Sequence, residues 1–180
     1  MIISGGKYRS RRIKYNKSST TRPTANIVRE AVFMMLYDVS KGLVLDLFAG
    51  SGAYGFEALS RGAGFVYFND IDNRNVKIIK ENITLLQEDS NTEVSNLDYR
   101  KAISRYLTLK LKFDFIFIDP PYYQNYYQEV IPQLKNLLNE SGRAIIELDK
   151  KIEVLESLED FKIIKDKAYG RKRILIIELK

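Results

Sequence analysis

Cysteine is missing from all 180 residues of the chain. Its absence excludes a disulfide framework, a thiolate metal site and a cysteine nucleophile, and it suits a reducing compartment. Histidine is missing too, which removes the commonest general base and the commonest transition-metal ligand. Any chemistry falls to carboxylates, lysines, tyrosines and backbone groups, and no metal is expected. No apolar run approaches the roughly 20 residues that cross a bilayer, and the opening MIISGGKYRSRR lacks the apolar stretch of a signal peptide. A soluble, cytoplasmic protein with no membrane partner is expected. There is no internal repeat and no low-complexity tract, so the chain reads as about one domain, long enough to bury its own core.

What is present in excess is positive charge, and it is unevenly placed. The formal net charge is +6. Residues 1–30 hold Lys7, Arg9, Arg11, Arg12, Lys14, Lys17, Arg22 and Arg29 against Glu30 alone, a balance of +7, whereas residues 31–180 carry −1. A segregated basic segment is the footprint of a polyanion binder, because each Lys or Arg at a phosphate releases condensed counterions. The bland alternative is a solubilising arm. Composition shifts near residue 25, so residues 1–24 are read as a basic extension and residues 25–180 as the main domain.

Periodicity divides that domain. Two short strands, MIIS and RRIKY, are expected around Gly5-Gly6, and Ile27, Val28, Ala31, Val32, Met35 and Leu36 recur at helical spacing from about Ala25 to Asp38. From Leu43 onward strands and helices alternate. LVLDLF, FVYFND, the weaker TEVSNL, FDFIFID and GRAIIELD read as strands. AYGFEALSR, NVKIIKENITLL, the segment near Tyr99–Leu109 and NYYQEVIPQLKNLL read as helices. This alternation predicts an α/β fold with a parallel sheet covered on both faces. FKIIKDKAYGRKRILIIELK ends the chain differently, as two strand-like runs around Tyr169-Gly170, which predicts an antiparallel hairpin. A dinucleotide-binding domain would continue with parallel units, so the ending favours the methyltransferase variant of the Rossmann-like fold.

The segment VLDLFAGSGAYGFEALSRGA, residues 44–63, places Gly50, Gly52 and Gly55 in a literal G-x-G-x-x-G between a strand and a helix. Ligands of open α/β sheets sit beyond the carboxyl ends of the strands, and four successive ends here carry acids: Asp46, then Asp70 with Asp72, then Asp98, then Asp119 in Asp119-Pro120-Pro121-Tyr122. The glycine loop and Asp70 suit either a dinucleotide or S-adenosyl-L-methionine, Asp72 and Asp70 are alternatively caps of the helix that follows them, and Asp98 serves equally well as an N-cap. The Asp-Pro-Pro-Tyr element discriminates. It has no place in hydride transfer, but a carboxylate and a proline carbonyl can draw a planar amine toward tetrahedral geometry, while Tyr122 offers a stacking face.

DLFAGSGAYGFEALSRGA, the Asp70 strand end, FDFIFIDPPY, the upstream TRPTANIVREAVF and the late AYGRKRILIIE together resemble the bacterial RsmD family, in order from about Ile2 to Glu178. The resemblance implies a class I S-adenosyl-L-methionine-dependent methyltransferase with a seven-stranded sheet, acting on the exocyclic N2 of a guanine in 16S ribosomal RNA. It carries Asp46, Gly50, Ser51 and Gly52 to the cofactor loop, with Ala49 beside them. Asp70, with Ile71, falls at the ribose; Asp98, with Tyr99, falls at the adenine. Asp119, Pro120, Pro121 and Tyr122 fall to catalysis. The basic residues Arg9, Arg11, Arg12, Arg22 and Arg171 are expected to grip RNA, with Lys172 adding a phosphate contact. The expected state is a monomer acting on a small-subunit assembly intermediate. Rival readings are an adenine-N6 methyltransferase on RNA or DNA, a protein-glutamine methyltransferase, and a non-catalytic RNA-binding module on the same fold.

Overall fold

The structure, a computed structural model, describes residues 1–16, 23–121 and 126–180. The short apolar runs become the strands β1 (Leu43–Asp46), β2 (Phe65–Asn69), β3 (Thr92–Ser95), β4 (Phe113–Ile118) and β5 (Leu138–Asp149). The last two runs become β6 (Phe161–Tyr169) and β7 (Lys172–Leu179). All seven form one sheet in the order β3-β2-β1-β4-β5-β7-β6. β1 to β5 pair in parallel, and β7 lies antiparallel between β5 and β6. The expected mostly parallel sheet with an antiparallel hairpin is what forms.

Alternate side chains of the inner strands feed two cores, as the two-residue period of a strand requires. Val44, Phe117, Ile145 and Ile174 face α1 (Pro23–Leu36), α2 (Ala53–Ser60) and α3 (Asn73–Leu86). Leu45, Ile116, Ile118, Ile146 and Leu148 face α4 (Tyr99–Thr108) and α5 (Tyr126–Val130). Among the described residues no helix is long and apolar enough to cross a membrane.

Three elements differ from expectation for local reasons. The helix expected over NYYQEVIPQLKNLL is α-helical only to Val130 and continues as a 3-10 turn over Ile131–Asn136. Pro132 lacks the N–H that an α-helix needs there and its ring crowds the preceding turn. β5 starts at Leu138 rather than near Gly142, with a register shift against β4 between Phe113 and Phe115. Gly142 lies at this irregularity, where a Cβ would stand 2.7 Å from the Phe113 carbonyl oxygen. The two N-terminal strands shrink to one antiparallel bridge, Ile2 with Arg12, around a 3-10 turn at Gly6–Tyr8.

This N-terminal segment is nevertheless built into the domain. Ile3 and Ile13 are buried in the core beneath α1 and α2. The Lys14 backbone exchanges hydrogen bonds of 2.8 and 2.9 Å with the buried Asn82 amide on α3.

Candidate active site

β1 lies between β2 and β4, where the strand order reverses, and the glycine loop leaves its carboxyl end. Such a reversal opens a crevice in an α/β sheet. The Ala49 N–H is held by the Asn69 carbonyl at 2.9 Å, and the Gly50 N–H donates to Asp70 Oδ2 at 2.7 Å. Gly52, at φ +80°, stands at the N-cap of α2, where it offers no side-chain cap. The Asp46 carboxylate supplies one from below, accepting the Gly55 N–H at 3.0 Å.

The three glycines do different work. A Cβ at Gly50, whose φ is +54°, would meet nothing within 4 Å. At Gly55 it would stand 2.1 Å from the Phe68 ring, and at Gly52 2.6 Å from the Phe56 ring. Gly52 and Gly55 therefore permit close packing around α2, whereas Gly50 faces open space.

Asp70 is half-buried beside Gly50 and also accepts the Asp72 N–H and the Asn75 amide, at 2.8 and 3.2 Å. Burial raises its pKa against the pull of these donors. Asp72 and Asp98 cap α3 and α4, accepting the N–H groups of Arg74 and Arg100 at 2.8 and 2.9 Å. Ser51 is buried and its hydroxyl accepts the Asn16 N–H at 3.3 Å, so the N-terminal segment reaches the glycine loop. Ile71 is largely exposed, an apolar side chain next to Asp70. Tyr99 is buried in an aromatic group with Phe48 and Tyr126, and its hydroxyl donates to Glu129.

On the face shared with α1 and α2, carboxylates end three neighbouring strands. Asp46 ends β1, Asp119 follows β4, and Glu147 lies near the end of β5. Ile118 pairs with Ile146, so one further step sets Asp119 beside Glu147. Burial pushes the Asp119 pKa up to about 6, opposed by the Lys172 ammonium. Asp46 is pushed up to about 7, first by burial and then by Asp119 and Asp70, with the Gly55 N–H opposing. Pro120 is buried and Pro121 exposed. Tyr122 and Arg22 lie outside the described residues.

One residue of this site escaped sequence reasoning, and another was expected in a different role. Glu147 is 3% exposed; its Oε2 accepts the Tyr54 hydroxyl at 2.7 Å and its Oε1 pairs with Lys172. An acid inside the apolar run AIIEL was the available signal. Lys172, expected to meet phosphate, turns inward to that acid instead. Arg171 stays exposed and pairs with Asp149 at 3.3 Å. Among the described residues no group of acids is arranged to hold a metal ion.

The basic segment also divides on inspection. Lys7 pairs with Glu88, Lys14 with Glu81, and Arg29 with the fully buried Glu57. Arg9, Arg11 and Arg12 are exposed and belong to no ion pair among the described residues.

The open backbone at Gly50, with an acid hydrogen-bonded to it, fits the methionyl and ribose parts of S-adenosylmethionine. Known proteins point the same way. A family profile described as "Conserved hypothetical protein 95" matches residues 1–178. "Ribosomal RNA small subunit methyltransferase D" of Haemophilus influenzae is 33% identical, with 93% of this chain and 88% of that protein aligned. The chain belongs to the RsmD family. A second relative, "Putative rRNA methyltransferase YlbH" of Bacillus subtilis, is 32% identical over 97% of this chain and 96% of its own length. The solved "Putative methyltransferase yhhF" of Escherichia coli superposes with a TM-score of 0.84 at 27% identity, covering 100% of this chain and 98% of that one. The fold is thus that of the S-adenosylmethionine-dependent methyltransferases.

Proposed function

We propose that this chain is an S-adenosylmethionine-dependent methyltransferase of small-subunit ribosomal RNA, and that it modifies the exocyclic N2 amine of one guanine. The observation that carries the reading is the Asp119-Pro120-Pro121 segment that follows β4, one strand away from the loop at Gly50. The names of the relatives support ribosomal RNA as the substrate class. S-Adenosylmethionine, when bound, supplies a methyl group on a positively charged sulfur.

The rest is the work of this chain's residues. Asp70 accepts the ribose hydroxyls, Asp98 the adenine amino group, and the Gly50 backbone approaches the methionyl part. An exocyclic amine on a base is a poor nucleophile because its lone pair is delocalised into the ring. The Asp119 carboxylate and the Pro120 carbonyl accept its two N–H groups and pull the nitrogen out of plane, so that the lone pair can face the methyl. The base must leave its stack to reach Asp119, and the reading gives Tyr122 the face that receives it.

Calorimetry tests the cofactor assignment. Binding of S-adenosylmethionine or its demethylated product is expected in the micromolar range, on the order of metabolite sites generally, and NAD is expected not to bind. Binding of NAD alone would end the methyltransferase reading. Nucleoside analysis of 16S ribosomal RNA from cells lacking the protein tests the base: one N2-methylguanine should disappear. A missing methyladenine would assign the site to adenine-N6 chemistry.

Residues 1–24 are proposed to grip RNA for a catalytic domain of residues 25–180, as a monomer acting during small-subunit assembly. Replacing Arg9, Arg11 and Arg12 together with Ala should weaken RNA binding and lower the slope of log affinity against log salt by about 2, since each single-strand phosphate contact contributes roughly 0.7. Cofactor affinity should stay unchanged. Replacing the paired Lys7 and Lys14 should move the slope far less. Equal slopes for the wild type and the triple variant would remove the arm from the RNA surface.

A further inference from the structure

The mechanism proposed above uses Asp119 as an acceptor, and a carboxyl accepts most strongly when ionised. Its surroundings work against that. Asp46 lies on the same sheet face at the end of β1, Glu147 beside it on β5, and Asp70 one strand beyond Asp46. From the helices, Tyr54 of α2 donates to Glu147 Oε2, and Tyr127 of α5 donates to the Glu147 carbonyl at 2.9 Å. The Arg29 guanidinium of α1 is turned to Glu57 and away from this row. Among the described residues, the Lys172 ammonium is the one cation that acts on Asp119.

Lys172 is held where it acts. It opens β7, opposite Asp149 in the antiparallel pairing, and its side chain is only 25% exposed. Glu147 fixes the ammonium, and Tyr54, stacked on Phe117 at 4.9 Å, fixes Glu147. The hairpin thus delivers a charge to strand ends that come from the parallel half of the sheet.

We propose that Lys172 is a positioning residue of the methyl-transfer site, anchored by Glu147, whose ammonium keeps Asp119 a carboxylate while a base amine is bound. This inference rests on the methyltransferase reading. With the ammonium present Asp119 already titrates near 6. Without it, a half-buried acid beside two others takes up a proton nearer neutrality. A protonated Asp119 presents an O–H where the amine needs a lone pair.

Activity is greatest with Asp119 ionised, so kcat/KM rises with pH through its pKa and the acidic limb reports that value. In Lys172→Gln, which still offers Glu147 an N–H donor but carries no charge, the limb should move to higher pH by about one unit. The loss should be greatest at acid pH and shrink as pH rises. Lys172→Arg should restore the wild-type limb. Because the protein has no cysteine, Lys172→Cys introduces a single thiol. Aminoethylation should then return both the charge and the wild-type limb on one folded preparation, whatever happens to the Gln variant.

A limb that stays in place in Lys172→Gln, or in the unmodified thiol variant, overturns the inference. So does a limb that Arg or aminoethylation fails to restore. The underlying reading fails separately: wild-type protein that binds S-adenosylmethionine yet methylates neither ribosomal RNA nor small subunits at any pH.

Discussion

Glu57→Ala should destabilise the protein by about 3–5 kcal/mol, the scale of stripping one partner from a buried ion pair. Glu57 is fully buried on α2, and its carboxylate takes five donors: the Ser4 N–H and hydroxyl, the Gly5 N–H, Arg29 Nε and Arg61 Nε, at 2.7–3.3 Å. Arg29 is itself only 3% exposed and also holds the Ile2 carbonyl at 2.7 Å. Truncation therefore leaves a buried guanidinium without its counterion and removes the hold of α2 on Ser4 and the Gly5 N–H, leaving the contacts of Ser60 with Gly5 and Tyr8. A domain of ordinary stability has roughly 5–15 kcal/mol in all, so much of its margin would go. Urea unfolding checks this, and a midpoint equal to that of the wild type would refute it. Burial works to raise the Glu57 pKa, but Ser4, Arg29 and Arg61 outweigh it and hold it below the ordinary 4.5. The associated stability is therefore complete above 4.5 and is lost as pH falls through the depressed value. Glu57→Ala should lose that acid sensitivity.

Asp119→Ala should cut methyl transfer by about 10²-fold or more, the scale of deleting one preorganised group aimed at the transition state. Cofactor affinity should hold, since the Gly50–Asp70 contact is untouched. Stability should hold as well. The Asp119 charge raises the Asp46 pKa, so its removal relieves a repulsion. Asp119→Asn keeps one acceptor and should fall between the two. Single-turnover rates with saturating cofactor measure the effect, and an Ala variant near the wild-type rate would remove Asp119 from the chemistry.

Local chemistry in this chain was legible and distant pairing was not. Strand runs, the glycine turn and the Asp-Pro-Pro element announce themselves because each is set by a few neighbouring residues. Asp72 and Asp98 could be placed at helix starts for the same reason. Glu57 answers a residue 53 positions away, Glu147 one 93 away, and Lys172 one 25 away. No local pattern carries such pairings. Charge counting met the same limit: the excess at the front is real, but Lys7, Lys14 and Arg29 are spent on acids that come from α2, α3 and the turn after α3. The glycine motif was legible as a turn, but the packing role of Gly55 was not, because the closeness of Phe68 belongs to tertiary packing.

The placing of β7 between β5 and β6 has a consequence for synthesis. β6 leaves the ribosome before the strand it must pair with, and until β7 follows, both β6 and the β5 edge stand open. An unpaired edge is a template for aggregation, and charge is the usual protection. β6 carries Lys162, Lys165 and Lys167 along its nine residues, which guard it in the nascent chain as they guard the outer edge afterwards. The same order of emergence keeps Lys172 away from Asp119 until β7 is made, so the proposed centre is assembled last, by a strand that also joins β5 to β6.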